Sequence, residues 1–172
     1  MAEALPELLT GFNCVADENA KILILGSMPG AISLKQQQYY AHPRNAFWKI
    51  MESLYGIPLE TEYSQRIELL KQNGIALWDV VHQCIRQGSL DTNIQSDSVQ
   101  VNDFKELFQF STGISRVYFN GGKSAELYKK KVLSSAITGL QHLQYTQLPS
   151  TSPANARLSF QQKLTEWRQI AN

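Results

Sequence analysis

A short run, Tyr40-Ala-His-Pro-Arg-Asn45, places an imidazole and a primary amide close together, downstream of a loop made of Gly26, Ser27, Met28, Pro29 and Gly30. Groups of these types can place a water, lend a proton, or offer main-chain N–H groups to an anion. The glycine and proline signal is weak alone, because tight turns need the same residues. Asn45 has no useful pKa, so any chemistry it does is positioning through its side-chain oxygen; the same residue type also caps helices, and one is expected to begin near Ala46. His42 either lends a proton or fixes its loop by bonding to backbone. Asn120 precedes Gly121-Gly122, so its amide either faces a cleft with one donor and one acceptor or merely forms the turn. Asp79 and Asp91 are acids without a second carboxylate at motif spacing, and turn and helix-cap roles are expected of them. His82 and His142 are expected to be structural. Gly121-Gly-Lys-Ser124 resembles the end of a phosphate-binding loop, but such a loop needs a glycine where Val117 stands.

These groups must be held by a scaffold. Four runs read as strands: Ile22 to Leu25, Ile75 to Val81, Arg116 to Phe119 and Leu143 to Leu148. Between them apolar residues fall at helical spacing: Phe47, Ile50, Met51 and Leu54, then Ile67 with Leu70, then Phe104, Leu107 and Phe108, then Leu127 and Leu133. After the break at Pro149 to Pro153, Leu158 to Ile170 reads as a closing helix. Strands alternating with helices predict an α/β fold, a three-layer α/β/α sandwich around a mainly parallel four-stranded sheet. In such open sheets ligands sit at the carboxyl ends of the strands.

The chain has 172 residues, 43% of them hydrophobic, which is enough for one full core and too few for two comfortable domains, so residues 1–172 are expected to form one domain. The formal charge is only +1, which excludes a broad electropositive coat and makes any nucleic-acid contact local. Lys129-Lys-Lys131 reads as a solvated helix face. No segment has the length and polarity of a membrane span or signal peptide, and a cytoplasmic protein is expected. Cys14 and Cys84 lie far apart, with no ligand set around them, and are expected to be reduced and structural, with neither a metal nor any other cofactor.

The Ala41-His-Pro-Arg-Asn45-Ala-Phe-Trp48 run downstream of Gly26-Ser-Met-Pro-Gly30 resembles the mismatch-specific uracil-DNA glycosylases and their hypoxanthine-specific relatives, within the uracil-DNA glycosylase superfamily. The resemblance extends to Gly74-Ile-Ala-Leu-Trp-Asp-Val80, Arg86-Gln-Gly-Ser-Leu-Asp91, Phe119-Asn-Gly-Gly-Lys123 and Leu148-Pro-Ser-Thr-Ser-Pro-Ala-Asn155, in the family's order and over nearly the whole chain from Lys21. Uracil-excising relatives carry Asp or Asn before the proline of the first turn, to orient the attacking water. Here Met28 stands there, and a thioether cannot do that work. The hypoxanthine branch has this Gly-Ser-Met-Pro-Gly form, and no cysteine set links the chain to the iron–sulfur branches.

The resemblance implies a monofunctional DNA glycosylase that flips a deaminated base from single- or double-stranded DNA and hydrolyses its N-glycosidic bond. Hypoxanthine is the expected base, with uracil, xanthine or a mismatched base as the alternatives and a catalytically silent damaged-DNA binder as a further one. It implies that Asn45 orients the water in place of Met28, with His42 beside it, and that Tyr40 stacks on the extruded base, unless it is a core tyrosine. Asn120 would read a base edge: hypoxanthine presents O6 as an acceptor and N1–H as a donor, which adenine reverses. Residues 26–30 would line the substrate pocket. Ser150, Thr151, Ser152, Pro153 and Ala154 resemble the loop that enters DNA, although without the family they read as an ordinary connection. Lys123, Arg44 and Arg157 are candidate phosphate partners. A monomer is expected.

Overall fold

Ile22, Leu23, Ile24 and Leu25 are all buried, as a strand covered on both faces requires, and their side chains divide by parity between two cores. The computed structural model, which describes residues 6–135, 137 and 139–172, builds this strand into the middle of a four-stranded sheet. The strands are β2 (Ile22–Gly26), β3 (Ile75–Asp79), β6 (Arg116–Asn120) and β7 (Gln144–Leu148), in the order β3-β2-β6-β7, every pair parallel. Ile22 and Ile24 join Ile75, Leu77 and Tyr118 on one face, under α2 (Phe47–Tyr55), α3 (Tyr63–Gln72) and α6 (Phe160–Trp167). Leu23 and Leu25 join Ala76, Trp78, Val117 and Phe119 on the other, under α4 (Phe104–Phe110) and α5 (Gly122–Leu127), which runs on into a π-helical turn, Tyr128–Leu133. The layered α/β/α architecture is the one predicted, and its central sheet is wholly parallel.

The second run departs from expectation. It breaks at Val80, and the chain turns into β4 (Val81–Ile85), which pairs antiparallel with β1 (Leu8–Thr10) and β5 (Gln100–Val101) in a separate small sheet. The apolar run continues across the break because Val80 and Val81 are buried in the same core as Trp78. The closing helix is shorter than predicted. It starts after Ser159, whose side chain and that of Gln162 form a reciprocal capping box, and it ends in a 3₁₀ turn, Arg168–Ala171. A short helix, α1 (Ala31–Gln36), follows the first loop.

The chain leaves β2 for β3 on one side and returns to β6 on the other, so β2 and β6 flank the topological switch point. A crevice opens there, outside the carboxyl ends of the strands. Cys14 is half-buried and Cys84 buried, and both are free thiols. Burial, then the Asp79 carboxyl, pushes Cys14 up to about 12, which keeps the thiol protonated at neutral pH. Among the described residues no helix is long and apolar enough to cross a membrane.

Candidate active site

A cavity of about 690 Å³ occupies the crevice and is lined by all the predicted site residues except the three candidate phosphate partners, Lys123, Arg44 and Arg157. Residues 26–30 form one wall. The β3–β4 junction holds them by continuing the sheet's pairing past its end: Val80 N–H donates to Gly26 O at 2.9 Å and Val81 N–H to Ser27 O at 3.0 Å. Gly26 has no alternative, because a Cβ there would collide with Asp79 Oδ1. The Arg86–Asp91 segment braces the same loop from outside. Buried Arg86 donates to Pro29 O at 2.6 Å, Gly88 O at 2.9 Å and Met28 O at 3.4 Å. Ser27 Oγ donates to Asp91 Oδ1 at 2.6 Å, and Ala31 N–H donates to Ser89 Oγ at 2.9 Å. Met28 is buried, its thioether packed in the core that includes Trp78 and Val81.

The Tyr40–Asn45 run forms a second wall. Tyr40 sits at φ 54°, an uncommon left-handed conformation for a tyrosine. Its ring stacks on Phe47, with centroids 4.2 Å apart and planes at 26°, while the residue also lines the cavity. It is therefore at once a packing tyrosine and a cavity wall. His42 Nδ1 accepts from Arg44 N–H at 3.1 Å, so the loop-fixing role is real, and Nε2 is left as the proton-bearing nitrogen. Asn45 Oδ1 accepts from Phe47 N–H at 2.9 Å, a side-chain turn that leads the chain into α2, whose N-cap position is Ala46. A carbonyl oxygen has a second lone pair, and Asn45 lines the cavity.

Asn120 and Thr151 form a third wall. Asn120 Nδ2 donates to Thr151 Oγ1 and Asn120 Oδ1 accepts from Thr151 N–H, both at 2.9 Å. The amide thus joins the end of β6 to the loop after β7, and it keeps one N–H and one lone pair beyond those bonds. Gly121 sits at φ 97°, where a Cβ would also press on Ser150 Cβ, so glycine is required. Ala46 N–H donates to Thr151 O at 3.0 Å, tying this loop to the Asn45 turn. Inside the loop Ser152 N–H bonds Ser150 Oγ, Ala154 N–H bonds Ser152 Oγ, and Asn155 Nδ2 bonds Ser150 O. Buried Lys163 donates to Ser152 O at 3.3 Å from below. Lys123 lies outside the cavity lining and pairs with Glu126 at 3.5 Å.

Sequence reasoning missed Asp79. It caps no helix; it ends β3 as Asn120 ends β6 and Gly26 ends β2, and that shared position was the available signal. It is 4% exposed, and its Oδ2 is buried without a hydrogen-bond partner among the described residues. The Tyr40 hydroxyl is orphaned in the same way, and both groups crowd Gly26. Burial, reinforced by Asp91, pushes Asp79 up to about 7 against the opposing pull of Arg86, so near neutrality much of it is a neutral carboxyl able to donate. Burial, then Asp79, raises the Tyr40 phenol far out of reach of ionisation. Asp91, also expected to be a turn or cap, opens a 3₁₀ turn, Asp91–Asn93, and its carboxylate serves as the acceptor for Ser27; burial raises it as well. Among the described residues no three His, Cys, Asp or Glu side chains gather to hold a metal.

The family profile described as the Uracil DNA glycosylase superfamily matches residues 13–171. A hypoxanthine DNA glycosylase of Methanosarcina barkeri is 42% identical over 135 residues, 73% of this chain and 84% of that protein. A hypoxanthine DNA glycosylase of Methanosarcina acetivorans is 36% identical over 161 residues, 93% of this chain and 96% of that protein. A solution NMR structure of a candidate uracil DNA glycosylase, also from Methanosarcina acetivorans, superposes with a TM-score of 0.76 at 34% identity, covering 96% of this chain and 100% of that one.

Proposed function

The chain belongs to the uracil DNA glycosylase superfamily, and from that premise we infer that it is a DNA repair glycosylase excising hypoxanthine from deoxyinosine and leaving an abasic site. The observation that carries the substrate is its likeness, over most of its length, to two relatives that bear that activity in their names. Met28 agrees with it, since the polar water-orienting residue of uracil-excising relatives is absent.

The reaction needs the nucleotide out of the stack, at a cost of a few kcal/mol that a mispaired base reduces. In the cavity the C1′–N9 bond breaks with its electron pair going to the base. A water oxygen bonds to C1′ and its proton passes to solvent water, while the departing hypoxanthine anion takes up one proton from solvent and leaves neutral, so that one water is consumed in all. We assign Asn45 to holding that water through the free lone pair of Oδ1, a pre-organised polar contact that requires no proton transfer to the amide. His42 offers Nε2–H to the departing base. Tyr40 offers its ring to the extruded base, and its hydroxyl, with neutral Asp79, offers donors to an edge such as O6 and N7 of hypoxanthine. Adenine presents an amino group in place of O6 and would meet donors with a donor. Asn120 contributes its remaining N–H and lone pair, and residues 150–154 clamp the strand. The same reading takes the enzyme to be a cytoplasmic monomer.

A panel of single- and double-stranded oligonucleotides, each holding one deaminated base and then cleaved by alkali at abasic sites, tests this. Hypoxanthine should be released, with uracil slower by on the order of a hundredfold, the loss expected when one placed group is missing. Equal rates would overturn the substrate assignment, and binding without release would make the chain a silent damaged-DNA module.

A further inference from the structure

The cavity assigned to the base contains neither lysine nor arginine in its walls, while Asp79 and Asp91 both line it. Such a lining offers a phosphodiester no cationic partner, so a charged grip on the strand, beyond the neutral hydroxyl and N–H contacts assigned to residues 150–154, must come from elsewhere. A second cavity of about 310 Å³ lies across the Tyr40–Asn45 run and shares Tyr40, His42 and Asn45 with the first. Its walls include Arg66, Lys49, Gln36, Gln38 and Trp48, and no carboxylate. The Arg66 guanidinium lies over the Trp48 ring, its carbon 4.5 Å from the ring centroid. Among the described residues Arg66 makes no ion pair, and its Nε is buried without a hydrogen-bond partner. Exposed Glu62, one turn earlier on the chain, is the acid that acts on it, and it lies outside the cavity wall. A guanidinium set over an indole, without an ion pair and beside a lysine and two amides, is suited to take an anion.

We propose that this second cavity is a phosphate seat, in which Arg66, assisted by Lys49, grips the DNA backbone phosphate next to the extruded nucleotide. The proposal rests on the glycosylase reading for the identity of the strand. The shared wall fixes the relation of the two sites: a nucleotide whose base enters the first cavity has its neighbouring phosphate crossing the Tyr40–Asn45 run.

The test is a scan in which each phosphate flanking a 2′-fluoro-deoxyinosine, which resists cleavage, is replaced in turn by a neutral methylphosphonate. Wild-type protein should lose about tenfold in affinity at the one flanking position that Arg66 serves, and less at any position held by other groups. Arg66→Gln should bind the unmodified strand about tenfold more weakly, lose its sensitivity at that same position, and show a log K against log salt slope shallower by about 1. Lys49→Gln, an exposed change that leaves Trp48 packing alone, should reduce that slope in the same direction if Arg66→Gln folds poorly. The proposal is overturned if no flanking methylphosphonate weakens wild-type binding, or if folded Arg66→Gln still loses the full tenfold at the sensitive position. Base release by wild type from ordinary deoxyinosine DNA is scored separately. Release without a sensitive phosphate refutes the seat alone, and a sensitive phosphate without release refutes the reaction alone.

Discussion

Asn45 carries two bonds' worth of meaning, one to Phe47 N–H and one assigned to a water, and the substitution Asn45→Ala should register both. Loss of the bond to Phe47 N–H should cost about 1 kcal/mol of stability in urea denaturation. Loss of the placed water should slow single-turnover release by about a hundredfold or more, with affinity for deoxyinosine DNA near wild type. A folded variant with a normal rate would leave the residue its bond to Phe47 alone. Asp79 makes a prediction whose sign depends on its protonation state. Burial holds its carboxyl at about 7, above the ordinary carboxyl value of 3.8, so the folded protein binds the proton more tightly than the unfolded chain. The stability it contributes is full below about pH 4 and is lost as pH rises through about 7, up to about 4 kcal/mol. Asp79→Asn should therefore gain stability over wild type progressively across that window, read as a widening gap in Tm. If neutral Asp79 donates to the base, the wild-type cleavage rate should fall above pH 7 and the asparagine variant, which donates at every pH, should lose that fall. A wild-type rate rising through pH 7 would make the carboxylate the working form.

At the scale of elements, the first loop is held from three directions, and Arg86 is the largest of these supports. Arg86→Met would leave the carbonyls of Met28, Pro29 and Gly88 without their donor in a buried place, a change worth about 2 to 3 kcal/mol in urea denaturation. Arg86→Lys lacks the planar fork and should recover only part of it. A loss under about 0.5 kcal/mol in the methionine variant would mean that the loop is held by the Val80 and Val81 bonds alone. The four central strands and most of the helices were legible because each keeps one apolar period along its length, as Ile22 to Leu25 and Phe47 to Leu54 do. The small sheet was not legible. Leu8–Thr10 and Gln100–Val101 are too short to show a period, and Val81–Ile85 is fused in sequence to a stronger strand. The walls contributed by residues 26–30, 40–45, 120 and 150–154 were readable as motifs. The roles of Arg86, Asp91 and Asp79 were not, because a buried charge looks like a surface charge until its partners, such as Ser27 64 residues away, are in place.

Taken as a whole molecule, a net charge of +1 and an acid-lined base cavity force a division of labour between affinity and selectivity. Few phosphates can be neutralised, and the cations near the Tyr40–Asn45 run are Arg66, Lys49 and exposed Arg44. Three phosphate contacts give a log K against log salt slope of about −3 on duplex DNA, since each contributes about 0.9. Undamaged duplex should therefore bind weakly and with a slope no steeper than about −3, measured by fluorescence anisotropy across a salt series. Deoxyinosine duplex should show nearly the same slope with a higher intercept, because the extruded base adds stacking and neutral hydrogen bonds that salt does not screen. A slope near −6 or steeper would reveal a cationic surface that the arrangement around the cavity does not contain. A deoxyinosine slope much steeper than the undamaged one would mean that selectivity comes from extra phosphate contacts, and the roles given to Tyr40, Asp79 and Asn120 would have to be withdrawn.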